Sequence, residues 1–250
     1  MEALALRQFE RLERDHWWFR GRRKVYLGLL RHLLGCARPH RALDVGAGPG
    51  GFAAGLAELC DELVVLDPDP LALSGCRRRA ARALRADAAR LPFADSSFGL
   101  VCLFDVLEHL DDDCLALREA RRVLRPGGLL FASVPAWPFL YAQNDRIAHH
   151  RRRYTRSALA ATTRAAGLEV VRNTHTNVLL FPLIVPAVLA AKGWEAVRGQ
   201  RASGRTNLSW PLPAAGHELC YRVFAAELPL VRRFDLPAGH SIVLGARRPG

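Results

Sequence analysis

The chain has 250 residues, half of them apolar and 24% charged, with no uninterrupted run of 18 apolar residues; this fits one core with insertions and gives no membrane span. Six scattered cysteines without CxxC spacing argue against a disulfide framework or a zinc site, and the N-terminus, MEALALRQFERLERD, lacks the apolar stretch of a signal peptide. The formal net charge is +12, yet Lys24 and Lys192 are the only lysines and aromatics do not alternate with the arginines, so the expectation is a cytoplasmic protein without a nucleic-acid partner.

Residues 1–35 read as helix, turn, helix. In the second, Tyr26, Leu29, Leu30, Leu33 and Leu34 recur at helical spacing, and Gly35 stops it. The aromatic run His16, Trp17, Trp18, Phe19 sits at the junction. From Arg41 to Pro135, strand and helix alternate. Strands are predicted at RALDVG, ELVVLD, ALRADA, FGLVCLFDV and GLLFASVP. Helices are predicted at GGFAAGLAEL, PLALSGCRRRAARA and DDDCLALREARRVL, the last with an apolar face at Ala116, Ala120, Val123 and Leu124 before RPGG breaks it. This alternation makes βαβ units and a mainly parallel sheet.

Residues 136–154 read as an irregular basic and aromatic loop. TRSALAATTRAAG is a helix capped by Thr155 and stopped by Gly167, and LEVVRNTHT is a strand. Residues 178–240 break the alternation, with two apolar helical stretches around the linker GQRASGRTNLSWPLP. SIVLGARR is the closing strand.

The segment LDVGAGPGG places Gly46, Gly48 and Gly50 at the turn from the first strand to the first helix, where backbone can approach a ligand at the carboxyl end of the sheet. Gly46, Gly48 and Gly51 also satisfy GxGxxG, and Asp67 ends the second strand about 20 residues on. A dinucleotide and another nucleoside cofactor both fit at this point, and Asp44 fits either a ligand contact or a helix cap.

The full series of motifs resembles class I methyltransferases that use S-adenosylmethionine (SAM). Asp44 matches the acid near the methionine end of that cofactor, and Asp67 the acid on the ribose hydroxyls. Asp87 and Ala88, before LPFADSSFGLV, match the segment that frames adenine. Phe104 and Asp105, before VLEHL, match the segment lining cofactor and acceptor, and RPGGLL the turn into the fifth strand. The flanking HWWFRGRR and DRIAHHRRRYTRSAL resemble a bacterial subgroup of type 11 methyltransferases with W-F-x-x-R-R and G-H-x-R-R-Y-T segments. His149 stands at that subgroup's glycine, which makes His150 the matching histidine. In this family an N-terminal segment commonly covers the cofactor, which adds Trp18 and Arg22 to the cofactor candidates.

The resemblance implies an α/β fold with a Rossmann-like, seven-stranded, mostly parallel sheet in the order 3-2-1-4-5-7-6. It implies one methyltransferase domain over residues 1–250, with a helical cap at 1–35, a SAM-binding core at 41–135 and a helical insertion at 178–240. The expected activity is methyl transfer from SAM to a small-molecule, glycan or lipid-linked acceptor, with oxygen the favoured acceptor atom. An acceptor that keeps its proton at pH 7 needs a base; His150, Tyr154 and His109 are the catalytic candidates, His109 fitting a helix histidine equally well. An NAD-dependent oxidoreductase is the rival enzyme, but no second segment with hydride chemistry is found. A non-catalytic methyltransferase-like partner protein is the other rival, and the intact glycine turn and acids argue against it.

Residues 178–191, VLLFPLIVPAVLAA, carry no charge but are too short to span a bilayer, and Pro182 and Pro186 are expected to kink or interrupt a helix. With the amphipathic ELCYRVFAAELPLVRRF, they fit either a hairpin on an anionic membrane surface or a lid over the acceptor pocket.

Overall fold

The computed structural model describes residues 12–76, 82–198 and 212–250. The first predicted helix is therefore covered only from residue 12. The arginine-rich part of the fourth predicted helix, PLALSGCRRRAARA, and most of the 199–213 linker lie outside the described residues.

The first helix, α1 (Trp17–Leu34), is capped by His16, whose Nδ1 accepts from the Trp18 amide at 3.2 Å, and ends at Gly35 with φ +59°. Next come β1 (Arg41–Val45), α2 (Ala53–Ala57), β2 (Glu62–Leu66), α3 (Pro70–Cys76), β3 (Arg82–Leu84) and β4 (Phe98–Phe104). A 3-10 turn at Leu107–His109 leads to α4 (Asp113–Val123), β5 (Leu124–Pro135), α5 (Gln143–Ile147), α6 (Arg156–Ala165) and β6 (Glu169–Thr176). The chain closes with α7 (Phe181–Arg198), α8 (Ala214–Ala226), α9 (Leu228–Arg233) and β7 (Ser241–Arg247).

The seven strands form one sheet in the order β3-β2-β1-β4-β5-β7-β6. β1 through β5 pair in parallel, and β7 runs antiparallel between β5 and β6. This is the sheet that the alternating pattern and the resemblance predicted. Period-2 alternation divides the strand residues between two apolar layers. On one face, Leu43, Val101, Leu103 and Leu130 pack with Leu117 and Val123 of α4 and Leu159 of α6. On the other, Ala42, Leu100, Cys102 and Phe131 pack with Tyr26 and Leu29 of α1, Leu56 of α2 and Phe224 of α8. Burial on both faces explains why the strands read as near-continuous apolar runs.

Three local readings change. α4 ends at Val123 and the backbone turns extended at Leu124, so RPGG lies within β5, where Leu124 already pairs with Phe98. The supposedly irregular 136–154 contains a short 3-10 helix at Pro138–Leu140 and α5. α7 runs through both prolines. Pro182 sits in the first turn, where its missing N–H has no helical partner, so only Pro186 removes a bond. Val188 packs on Leu140 and Ala142, which holds the helix despite that loss.

α1 meets α8 and α9 along a seam that glycine makes possible. A Cβ on Gly21 would lie 2.3 Å from Cδ1 of Phe224, and one on Gly28 2.7 Å from Cδ2 of Leu228. Gly21→Ala is expected to destabilise the fold by about 1–2 kcal/mol, the overpacking cost less the gain in helix propensity. Urea denaturation measures it; an unchanged midpoint would show that Phe224 yields freely.

Candidate active site

The carboxyl ends of β1 to β4 converge on one edge, and the loops there carry unusual backbone. Asp105, Trp137, His149 and Asn177 all have positive φ, from +54° to +65°. Such conformations cost energy and persist where the surroundings enforce them.

After β1, the amides of Gly46 and Ala47 donate to the Leu66 carbonyl at 2.7 and 3.0 Å, which turns the chain along the end of β2. Gly46 is required twice: φ is +69°, and a Cβ would meet Cγ2 of Val106 at 2.6 Å. Gly48 and Gly50, also at positive φ, complete the turn. Asp67 braces it, accepting from the Gly48 amide at 2.9 Å through Oδ2 and from the Asp69 amide at 2.8 Å through Oδ1. Asp44, by period 2, faces the same side as Ala42. It is buried, and its Oδ1 has no hydrogen-bond partner. Burial, then the charges of Asp67 and Glu13, push its pKa up to about 8. Glu13 comes from ahead of α1 and lies against the glycine turn, its Oε1 2.6 Å from where a Gly51 Cβ would stand. Three acids around a glycine turn make a pocket suited to a cationic ligand.

The other cofactor candidates border this turn unevenly. Phe104 stacks on Phe52, with centroids 3.9 Å apart. Asp105 accepts from the Ser133 hydroxyl at 2.7 Å and pairs with Arg22 Nη2 at 2.6 Å. The buried Arg22 guanidinium lies 4.3 Å from the Trp18 ring centroid, so α1 reaches the turn after β4 through Asp105. Ala88 is buried in the core, whereas Asp87 is exposed and accepts from the Ala89 amide at 2.9 Å, a local turn contact.

The basic run 150–154 does not behave as a solvated loop. The Arg151 amide and Nε donate to the carbonyls of Glu108 and His109 at 2.8 and 3.0 Å. Arg152 Nη2 donates to those of Leu110 and Asp111. This clamp carries His150 onto the turn after β4, where its ring lies 4.8 Å from that of His109 at 80°. His150 Nδ1 is 2.8 Å from Asp145 Oδ1, and its Nε2 is 4.0 Å from Glu108 Oε1. Burial disfavours the Asp145 charge, but His150 and Arg153 hold its pKa at about 2. Burial and then His150 lower the pKa of His109, although that residue keeps an exposed edge.

Tyr154 is different. Its ring is buried, and its hydroxyl donates to Asp113 Oδ2 at 2.6 Å and meets the Leu107 carbonyl at 3.2 Å. Burial and Asp113 push its pKa well up. The geometry gives Tyr154 an anchoring place beneath the loop rather than an open position at the edge.

The subgroup's glycine position is explained by the backbone. His149 has φ +58° and points to solvent, while His150 faces Glu108. Sequence reasoning missed Glu108, Asp145, Glu13 and Ser133. Glu108 stands inside the quoted VLEHL, so position alone offered it. Asp145 likewise opens the quoted DRIAHHRRRYTRSAL, with nothing local to set it apart.

Residues 43–132 match the family model described as a methyltransferase domain, the type 11 group. A protein of Mycobacterium sp. (strain JLS) named as a methyltransferase is 35% identical over 167 residues, 58% of this chain and 65% of that protein. A Mycobacterium tuberculosis protein (strain H37Rv) named as a probable SAM-dependent methyltransferase is 34% identical over 126 residues, 50% of this chain and 44% of that protein. The matches thus span less than two thirds of these relatives' own length. In fold, the N-methyltransferase NodS of Bradyrhizobium japonicum, solved with S-adenosyl-L-homocysteine, superposes with a TM-score of 0.58 at 18% identity, covering 96% of this chain and 91% of that one. The YcgJ protein of Bacillus subtilis gives 0.57 at 19%, covering 90% and 99%. The domain match, the relatives and the sheet order agree that residues 43–132 are similar to the type 11 domain of class I, SAM-dependent methyltransferases.

Proposed function

We propose that this chain transfers a methyl group from SAM to the oxygen of a small-molecule, glycan or lipid-linked acceptor at the edge between Asp105 and His150. The observation that carries the cofactor side is Asp44, a buried carboxylate with an unpartnered oxygen beside a glycine turn. Asp44 and Asp67 would hold SAM, which when bound would supply a methyl on a good leaving group for in-line displacement by the acceptor oxygen. Asp44 and Asp67 are assigned to the cofactor's amine and ribose hydroxyls, and Arg22 with Trp18 to its cover. The residues of this chain then align the acceptor and exclude water, which supplies most of the rate in a displacement with a leaving group already present. The hydroxyl proton leaves on the His150 side. In this reading α1 caps the cofactor side of a core at 41–135, and α7 to α9 cover the acceptor side.

Acceptor screening with labelled SAM over lipid, glycan and small-molecule pools tests the activity. The lipid-linked class draws support from α7 and α8, where Leu183, Leu189, Trp194 and Leu219 are exposed, while Val188 packs inward as a lid residue would. Among the described residues no helix is long and apolar enough to cross a membrane.

Asp67→Ala is expected to weaken SAM binding by about 1.5–3 kcal/mol, the range for hydrogen bonds to a charged group. An unchanged calorimetric affinity in the folded variant would remove Asp67 from the cofactor shell. SAM binding should also depend on pH through Asp44. Below about 8 the folded apo protein holds Asp44 protonated, and pairing with the cofactor amine expels that proton. Affinity therefore rises with pH, by up to tenfold per unit between about pH 6 and 7.5. Calorimetry in buffers of different ionisation enthalpy reads the proton released; binding without proton release assigns the amine elsewhere.

A further inference from the structure

Glu108 is fully buried, and neither of its carboxylate oxygens has a hydrogen-bond partner. A buried carboxylate without donors is costly and calls for a positive partner. Arg22, whose charge acts on Glu108, is bonded to Asp105 instead. The atom that faces Glu108 Oε1, at 4.0 Å, is His150 Nε2. The other ring nitrogen of His150 lies against Asp145, which also accepts from Arg153 Nε and the Ala142 amide at 2.8 Å each. A carboxylate paired with a guanidinium is an acceptor only, so Nδ1 carries the proton, and in the neutral imidazole Nε2 turns a lone pair toward Glu108. Two lone pairs facing each other are satisfied together by a cation. His109 supplies a third donor, and one ligating atom from each of the three residues lies within 4.8 Å of the others.

We propose that Glu108, His109 and His150 bind a divalent transition-metal ion of zinc's class. One carboxylate oxygen and two imidazole nitrogens suit zinc, cobalt or manganese better than calcium or magnesium. Three protein ligands leave a coordination position open, as in catalytic rather than structural zinc sites. Metal–ligand bonds of about 2.0–2.2 Å at tetrahedral angles put two donors about 3.4 Å apart, so atoms now within 4.8 Å of one another close by up to about 1.4 Å, within the reach of side-chain rotation. Asp145 is the positioning residue, fixing the His150 tautomer as carboxylates do behind zinc-bound histidines. The absence of CxxC spacing pointed away from zinc, but cysteine is not among these donors. On the methyl-transfer reading, the open position would take the acceptor hydroxyl, lower its pKa and let its proton pass to solvent, with His150 then a ligand rather than the base. The metal site itself does not rest on that reading.

The test uses the whole chain after chelator treatment, titrated with zinc chloride by calorimetry and with cobalt chloride by visible absorption, with SAM titrated in parallel. About one equivalent of zinc should bind, and cobalt should show the absorption of a low-coordinate nitrogen and oxygen site. Glu108→Gln and His150→Ala should weaken zinc at least tenfold, and Asp145→Asn by about 10–100-fold without touching the metal. His149→Ala, at an exposed neighbouring imidazole, should leave zinc affinity unchanged. Removing the Glu108 charge relieves a buried acid, so Glu108→Gln should stay folded, and zinc should raise the Tm of the wild type but not of this variant. No zinc binding by the wild type, or equal binding by Glu108→Gln, overturns the site. SAM binding without zinc binding overturns the metal alone, whereas zinc binding without SAM binding overturns the methyl-transfer reading and leaves the metal.

Discussion

Replacing His150 with alanine should lower turnover by about 10²–10⁴-fold, the range for a side chain that helps remove a proton, while SAM binds as before. The separation of the two effects follows from the site's layout. The cofactor candidates Asp44, Gly46 and Asp67 sit at the ends of β1 and β2, whereas His150 rests on the turn after β4. The variant should also fold. Asp145 loses one partner but keeps Arg153 Nε and the Ala142 amide, and Arg151, Arg152 and Tyr154 still pin the loop. Steady-state kinetics with an identified acceptor and calorimetry with SAM measure the two sides. A loss of only a few-fold would reduce His150 to an acceptor contact. A matching loss of SAM affinity would move it into the cofactor shell.

The largest effect on stability is expected at Arg22. Arg22→Ala should cost about 3–5 kcal/mol, the range for removing one partner of a buried ion pair. The cost arises on the remaining side, because Asp105 is left with a charge and only the Ser133 hydroxyl to hold it. Partial exposure of Asp105, at 23% of its side chain, puts the value near the lower end of that range. The stacking on Trp18 is lost as well. Arg22→Lys should recover little, since an ammonium cannot both pair with Asp105 and lie flat on the indole. Guanidinium denaturation reads the difference, and a change under about 1 kcal/mol would mean that Asp105 finds water or a new donor at once.

The α/β alternation and the glycine turn were legible in the sequence because each depends on local pattern: period-2 apolar strands, capped helices and glycine where φ must be positive; the strand order followed from the family resemblance. The same locality explains the misplaced boundaries. RPGG contains strong breaker residues, yet Leu124 is already paired with Phe98, and a partner 26 positions away outweighs the local signal. Pro186 likewise loses to the packing of Val188 on Leu140. The site was legible one residue at a time and not as a set. VLEHL and HHRRRY were both visible as motifs, but nothing in either says that Arg151 and Arg152 grip the 108–111 backbone or that His150 comes to rest 4.0 Å from Glu108. Tyr154, placed among the catalytic candidates by its motif, turns its hydroxyl to Asp113. Residues distant in sequence meet at this edge because parallel strands deliver every following loop to the same end of the sheet. Sequence periodicity therefore determined which loops share that edge, and only tertiary packing decided which side chains on them touch.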